Sequence, residues 1–158
     1  MRKILITLKP LLLLSLIPML FWGCGPDTKK SNEKSDPFTY KKGRWYTEFQ
    51  FSKGKTVFAE NCAQCHGNAG QGLISDWKKP NPDGSFPPPP LNGTAHTWHH
   101  STEILMKTIN EGGQPLGGNM PAFKTVLTDE EKLAVIAFIQ NLWDDETYNK
   151  WLKINNSN

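Results

Sequence analysis

Cysteine is scarce in this sequence: its 158 residues include three, at positions 24, 62 and 65. A structural zinc site needs further ligands at suitable spacing, and no second C-x-x-C follows Cys65. A thioredoxin-like dithiol would lie in a βαβ pattern, yet no stretch of the chain shows the sustained alternation of apolar and polar residues expected of strands. These absences disfavour a zinc-binding module and a dithiol oxidoreductase, and they favour an all-α fold.

A net charge is also lacking once the N-terminus is set aside. The formal charge is +3, but residues 1–23 supply Arg2, Lys3 and Lys9 and no acidic residue, which leaves 15 basic against 15 acidic residues. Nothing in this balance points to a nucleic-acid partner.

The run Cys62-Ala63-Gln64-Cys65-His66 carries the strongest chemical signal in the chain. Residues three and four apart share one face of a helix, so both thiols can reach one porphyrin while the imidazole reaches its iron. C-x-x-C-H is the attachment signature of c-type haem. The sequence therefore predicts one covalently bound haem c, held by Cys62 and Cys65, with His66 as an iron ligand.

A second axial ligand is expected among the methionines, because thioether sulfur commonly completes such a site. Of the four methionines, Met1 and Met19 fall in the leader, which leaves Met106 and Met120. Met106 lies in a predicted helix, where a methionine usually fills the core. Met120 lies in the run Gly117-Gly118-Asn119-Met120-Pro121, whose glycines and proline favour a loop able to pass under a porphyrin. Met120 is the predicted iron ligand, and a buried loop methionine is the alternative.

Further elements stand around this motif in a fixed order. Gly54 and Phe58 precede it in a G-x-x-x-F pattern, Pro89-Pro90-Leu91 follows it, and then come the Met120-Pro121 loop and an apolar C-terminal helix with an aromatic in its middle. In this order they resemble the class I cytochromes c, over roughly residues 52–143.

The resemblance implies an all-α fold, the small cytochrome c fold of about four helices around one covalently bound haem. It implies that Gly54 lets the first helix cross closely against the last one. It also implies that Pro89 and Leu91 belong to the haem-binding set, and that the Pro89 carbonyl accepts the second ring N–H of His66.

Helix signals can be located directly in two places. Thr128 and Glu131 form a T-x-x-E capping box before the apolar C-terminal helix. Ser101 is a candidate N-cap for a helix over 102–110, which Gly112 would end.

The sequence predicts three segments. Residues 1–23 form a signal or lipoprotein leader, or an N-terminal anchor; residues 24–50 form a polar tether and an aromatic-rich lead-in that we expect to pack on the domain; residues 51–158 form the cytochrome c domain. Gly23-Cys24 resembles a lipobox, which would lipidate Cys24. An uncleaved anchor and soluble export remain open. Each alternative puts the haem outside the cytoplasm, in the periplasm or on the outer face of the membrane.

His96, His99 and His100 form a cluster that the resemblance does not explain. Three imidazoles in five residues could bind copper or zinc. Packing at the haem edge, or a hydrogen bond to a propionate, is the expected role.

Two functions are compatible with these residues. The first is a mono-haem electron carrier, not an enzyme, that works between redox proteins such as a terminal oxidase, a quinol-oxidising complex or a periplasmic reductase. With His66 and Met120 both on iron, no position stays open to substrate. The alternative is a haem c enzyme or sensor, peroxidase-like or gas-binding, in which Met120 is displaceable.

Overall fold

The structure is a computed structural model that describes residues 40–41 and 43–155. The predicted leader, Cys24, the polar tether and Phe38 lie outside the described residues. Within them the fold is all-α, as predicted, with five α-helices rather than about four and no strand beyond two isolated bridges. None of these helices is long and apolar enough to cross a membrane. The helices are α1 Glu48–Asn61, α2 Ala63–His66, α3 Thr102–Glu111, α4 Asp129–Asn141 and α5 Asp145–Asn155, with short 3-10 turns at Thr97–His99 and Gln114–Leu116.

Helix α1 begins at Glu48, inside the segment predicted as lead-in. Its start is a capping box, in which Thr47 accepts from the backbone of Gln50 while the Gln50 side chain accepts from the backbone of Thr47. Gly54 faces α4, and a Cβ at this position would overlap the backbone carbonyl of Ala134. The close crossing of α1 and α4 that the resemblance implied is therefore present.

Helix α4 is the centre of the core. The predicted capping box is formed, since Thr128 accepts from the Glu131 backbone and the Glu131 carboxylate accepts from Thr128. Even Lys132 is 2% exposed, and its ammonium group reaches Asp129 at 3.0 Å at the edge of the core. The other buried residues of this helix run unbroken from Ala134 to Gln140.

Helix α3 begins at the predicted residue and ends at Glu111, one residue later than predicted. The Ser101 hydroxyl accepts from the Ile104 backbone at 3.3 Å, and Gly112, with φ of 82°, ends the helix.

Helix α5 was not predicted. Asp144 accepts from the backbone N–H of Thr147 at 2.7 Å, which caps the helix start. Tyr148 and Trp151, three apart, are buried on its inner face. The Trp151 indole donates to the His100 carbonyl oxygen at 3.0 Å, which ties α5 to the segment before α3.

Part of the aromatic lead-in packs on the domain, as expected, whereas Tyr40 and Phe49 are exposed. Tyr46 is fully buried, and burial raises its pKa to about 12. Arg44 lies 3.7 Å over the Tyr148 ring and forms a 2.8 Å ion pair with Asp145. The segment before α1 is thus held against α5.

Candidate functional site

The two thiols and the imidazole of the C-x-x-C-H run lie on one turn. Cys62 ends α1 and begins α2, and its carbonyl oxygen accepts from the backbone N–H groups of Cys65 at 3.1 Å and His66 at 2.9 Å. Both cysteines are free thiols; Cys62 is half-buried and Cys65 is exposed. Burial, and then the charge of Cys65, raise the pKa of Cys62 to about 11.

The His66 ring is oriented by the backbone of the following loop. His66 is 8% exposed, and its Nδ1 lies 2.9 Å from the carbonyl oxygen of Pro89, the residue expected in this role. A carbonyl oxygen can only accept, so Nδ1 carries the proton and Nε2 keeps its lone pair. Burial lowers the pKa of His66, and the bond to Pro89 opposes this in part. Burial therefore favours the neutral imidazole, and the bond to Pro89 favours the tautomer in which the Nε2 lone pair is free to bind a metal.

The segment that carries Pro89 is fixed at its far end. The Leu91 N–H donates to the Gly70 carbonyl oxygen at 2.6 Å, while the Leu91 carbonyl accepts from the Trp143 indole at 2.7 Å. Thr97 donates to the Pro90 carbonyl oxygen at 3.3 Å. Leu91 thus joins the loop after His66 to the end of α4.

Met120 packs against the glycine pair that ends α3. The Gly113 N–H donates to the Met120 carbonyl oxygen at 2.9 Å, and a Cβ at Gly113 would approach the Met120 Cβ to 2.9 Å. A Cβ at Gly112 would meet the Met120 carbonyl oxygen at 2.6 Å. Any side chain at these two positions would displace Met120, so the glycines set its place. Met106 and Met120 are both half-buried and pack against the same core.

Two contacts that the sequence did not reveal join the loop after His66 to the Met120 loop. The Phe86 N–H donates to the Gly117 carbonyl oxygen at 2.8 Å, and Asn119 donates to the Ser85 hydroxyl at 2.9 Å. Both depend on the meeting of two irregular segments, for which no local pattern exists.

The three clustered histidines do not converge on one point. The His96 ring stacks on Trp77 at 5.2 Å and meets the His100 ring edge-on at 5.4 Å, whereas His99 packs on Trp98 at 3.7 Å. Burial lowers the pKa of His96 and of His100, and the neighbouring histidines lower both further. Among the described residues, no group of three or more metal-ligating side chains could hold an ion.

The donor set and its surroundings fit haem c. Haem c is bound through two thiols, an imidazole nitrogen and a thioether. This chain offers two free thiols, the Nε2 atom that the backbone hydrogen bond leaves available, and one thioether. Apolar side chains from several segments pack on the core while keeping part of their surface exposed, and a flat apolar group could cover such a surface favourably. They include Cys62, Leu91, Trp98, Leu105, Met106 and Met120.

Comparison with known proteins agrees with this chemistry. Residues 49–139 match the family described as "Cytochrome C oxidase, cbb3-type, subunit III". The chain is 31% identical over 104 residues to the cbb3-type cytochrome c oxidase subunit FixP of Sinorhizobium medicae, which covers 60% of this chain and 31% of the relative. It is 33% identical over 91 residues to the subunit CcoP of an Azospirillum species, covering 58% and 28%.

The chain thus spans less than a third of the length of these relatives. No solved structure matches it with significance. The family match nevertheless covers more than half of the residues. The chain therefore belongs to the cbb3-type cytochrome c oxidase subunit III family, and its domain is a class I c-type cytochrome, a haem c protein of electron transfer.

Proposed function

We propose that this chain is a mono-haem c-type cytochrome that carries single electrons between extracytoplasmic redox partners, with His66 and Met120 as the axial ligands of iron. The observation that carries the proposal is the 2.9 Å contact of His66 Nδ1 with the Pro89 carbonyl oxygen. In this bond Nδ1 donates the ring's one proton to a backbone carbonyl. Nε2 therefore keeps the lone pair that can bind iron.

The other residues of the site have distinct tasks. Cys62 and Cys65 would hold the porphyrin through thioether bonds, and Leu91 would offer it an apolar wall. The haem iron supplies a one-electron ferric/ferrous couple. Met120 would complete the coordination and favour the ferrous state, since a thioether is a soft, neutral donor.

A carrier role, rather than an enzymatic one, follows from this ligand pair. With an imidazole and a thioether both engaged, the protein keeps substrate, peroxide and gases away from the metal. Met120 is half-buried and packs against the core, and this packing supports a fixed position for its thioether.

The partners we propose are redox proteins, one of them a terminal oxidase. The supporting fact is that the relatives bear the names of cbb3-type cytochrome c oxidase subunits. A quinol-oxidising complex or a periplasmic reductase would complete the electron path. We further propose that the chain stays at the outer face of the membrane, through a lipidated Cys24 or an uncleaved N-terminal anchor.

The decisive experiment compares the two methionines in purified holoprotein. Met120→Ala should abolish the sulfur-to-iron charge-transfer band at the red end of the ferric spectrum, lower the reduction potential and admit cyanide or carbon monoxide. Met106→Leu is a volume-conserving core change that should cost under about 1.5 kcal/mol and leave the spectrum unchanged. Loss of the band in Met106→Leu, with its retention in Met120→Ala, would reverse the ligand assignment. If wild-type protein already bound carbon monoxide, the carrier function would be rejected in favour of the enzyme or sensor.

A further inference from the structure

The loop between His66 and Leu91 reaches across to the segment that carries Met120. Phe86 forms an isolated parallel bridge with Gly118, and its N–H donates to the Gly117 carbonyl oxygen at 2.8 Å. One residue earlier, the Ser85 hydroxyl accepts from Asn119 Nδ2 at 2.9 Å. We call these contacts, between residues 85–86 and 117–119, the clasp.

The Ser85 hydroxyl uses all of its hydrogen-bonding capacity. It donates to Asp83 Oδ1 at 2.6 Å and accepts from Asn81 Nδ2 at 3.1 Å as well as from Asn119. A hydroxyl offers one donor and two acceptor positions, so this set is complete. The Asp83 carboxylate and the Asn81 amide thus fix the direction in which Ser85 meets Asn119, the residue directly before Met120.

Phe86 adds a packing contact to the clasp. A Cβ at Gly117 would lie 3.3 Å from the Phe86 ring, so the glycine backbone lies in close contact with the aromatic side chain. Gly117 has a φ of 80°, a conformation that other residues adopt only with strain. The Phe86 ring therefore packs on a turn whose shape is specific to glycine.

A stiff connection runs from the clasp to His66. Residues 87–90 are four consecutive prolines, each with a fixed φ, and such a run behaves as a semi-rigid rod. One end of the run adjoins Phe86, and the third proline, Pro89, holds the His66 ring. A displacement of Phe86 would consequently be transmitted towards the His66 side rather than absorbed by loop flexibility.

On the other side, Met120 is anchored to α3 as well as to the clasp. The Gly113 N–H donates to the Met120 carbonyl oxygen at 2.9 Å, and the Gly118 N–H donates to the Gly113 carbonyl oxygen at 2.9 Å. The loop is thus held from α3 on one flank and from residues 85–86 on the other. The clasp is thus a hydrogen-bonded link between the loop that carries Pro89 and the loop that carries Met120.

From this geometry we infer that Ser85 and Phe86 are positioning residues for Met120: the clasp sets the Met120 loop against the Pro89–His66 segment and slows departure of the thioether from iron. The inference rests on the proposed function, since it takes Met120 to be the axial ligand. It goes further in naming the residues that control how long the ligand stays bound.

The test measures cyanide binding to ferric holoprotein at saturating cyanide, where departure of the methionine limits the rate. Ser85→Ala, Asn119→Ala and Phe86→Ala should each bind cyanide about two- to tenfold faster than wild type, the range expected for the loss of one hydrogen bond or a small packing contact. The double variant Ser85→Ala, Asn119→Ala should bind cyanide no faster than the faster of the two single variants, because both substitutions remove the same hydrogen bond. Ser75→Ala, an exposed serine of the same loop, should match wild type.

Three outcomes separate the possibilities. The clasp would be overturned if Ser85→Ala and Phe86→Ala bound cyanide at the wild-type rate while Met120→Ala abolished the charge-transfer band. The proposed function would remain intact. A lower denaturation midpoint with an unchanged cyanide rate would also overturn it, since the clasp would then be structural only. A wild-type protein without a Met120-dependent band would reject the axial assignment itself. If Phe86→Ala yields no holoprotein, the cyanide rate of Ser85→Ala still tests the clasp, because this variant removes only one hydroxyl from a surface loop.

Discussion

The indole N–H of Trp45, in the segment before α1, donates a 2.6 Å hydrogen bond to Oε1 of Gln140, a side chain of α4 that is fully buried. The Gln140 Nε2 atom is buried without a hydrogen-bond partner among the described residues. Trp45→Phe would therefore leave both ends of a buried amide unpaired. We expect a loss of about 1–3 kcal/mol in the free energy of unfolding, measured by urea denaturation.

Two further variants test this explanation. Tyr40→Phe changes an exposed aromatic of the same segment and should have no effect. Trp45→Phe combined with Gln140→Leu should recover part of the loss, because removing both partners costs less than removing one. An unfolding midpoint for Trp45→Phe equal to that of Tyr40→Phe would contradict the prediction.

Gly54→Ala should destabilise the domain although alanine is the better helix former. The added methyl group would overlap the Ala134 carbonyl. Because the overlapping atoms are helix backbone and not a flexible side chain, they cannot move aside locally. Overpacking of this kind costs about 1–3 kcal/mol, more than the gain of up to about 1 kcal/mol in helix propensity. Thermal unfolding followed by circular dichroism measures the balance. Thr56→Ala, at an exposed position of the same helix, is the control, and a Gly54→Ala protein as stable as this control would refute the argument.

Cys62→Ser and Cys65→Ser should each weaken covalent attachment of haem, because each removes one thioether. Wild-type protein from a maturation-competent host should retain its haem through denaturation and acidic organic extraction. His66→Ala should abolish the native site while leaving both thiols in place. Complete extraction of haem from wild type would invalidate the attachment that we propose.

The capping box of α4 predicts a specific pH dependence. Hydrogen bonds from the backbone and hydroxyl of Thr128 hold the pKa of Glu131 below its ordinary value of 4.5. Since the folded pKa lies below the unfolded one, the carboxylate stabilises the fold above the unfolded value, and this contribution is lost as pH falls through the folded value. Glu131→Gln keeps an acceptor without the charge. Its Tm should lie below that of wild type at neutral pH, and the gap should close below about pH 4.5. A gap that is constant with pH, or that widens in acid, would exclude this origin.

Cys24→Ser should block acylation and processing while the haem domain still folds. Mass spectrometry of the mature N-terminus gives the answer directly. A lipid-modified terminus at Cys24 supports the lipoprotein, whereas an unmodified terminus upstream of Cys24 favours the uncleaved anchor.

The features that the sequence predicted are those encoded within a few neighbouring residues. The caps at Ser101 and Thr128, and the turn from Cys62 to His66, each depend on spacings of three or four residues. The close approach at Gly54 was available through the resemblance to a family.

Other features depend on distant parts of the chain and had no local signal. Ser85 meets Asn119 across 34 positions, and Trp45 meets Gln140 across 95.

Helix α5 had a weak local signal. The spacing of Tyr148 and Trp151 after Asp144 favours a helix, but the inner face of this helix is short and its sequence is mostly polar. Lys132 was missed because a lysine is seldom buried.

The pairing of α1 with α4 also constrains the order of events during synthesis. Lys53 and Glu130, which join the two helices by a 3.2 Å ion pair, are 77 positions apart. A growing chain therefore exposes Cys62 and Cys65 long before α4 exists to close the fold. Once α4 has docked, Cys62 is half-buried and its thiol is harder to reach. The Cys62 thiol is thus most accessible before α4 docks, whereas Cys65 stays exposed in the folded domain, and a variant in which α4 docks sooner would shorten the period in which both thiols are open.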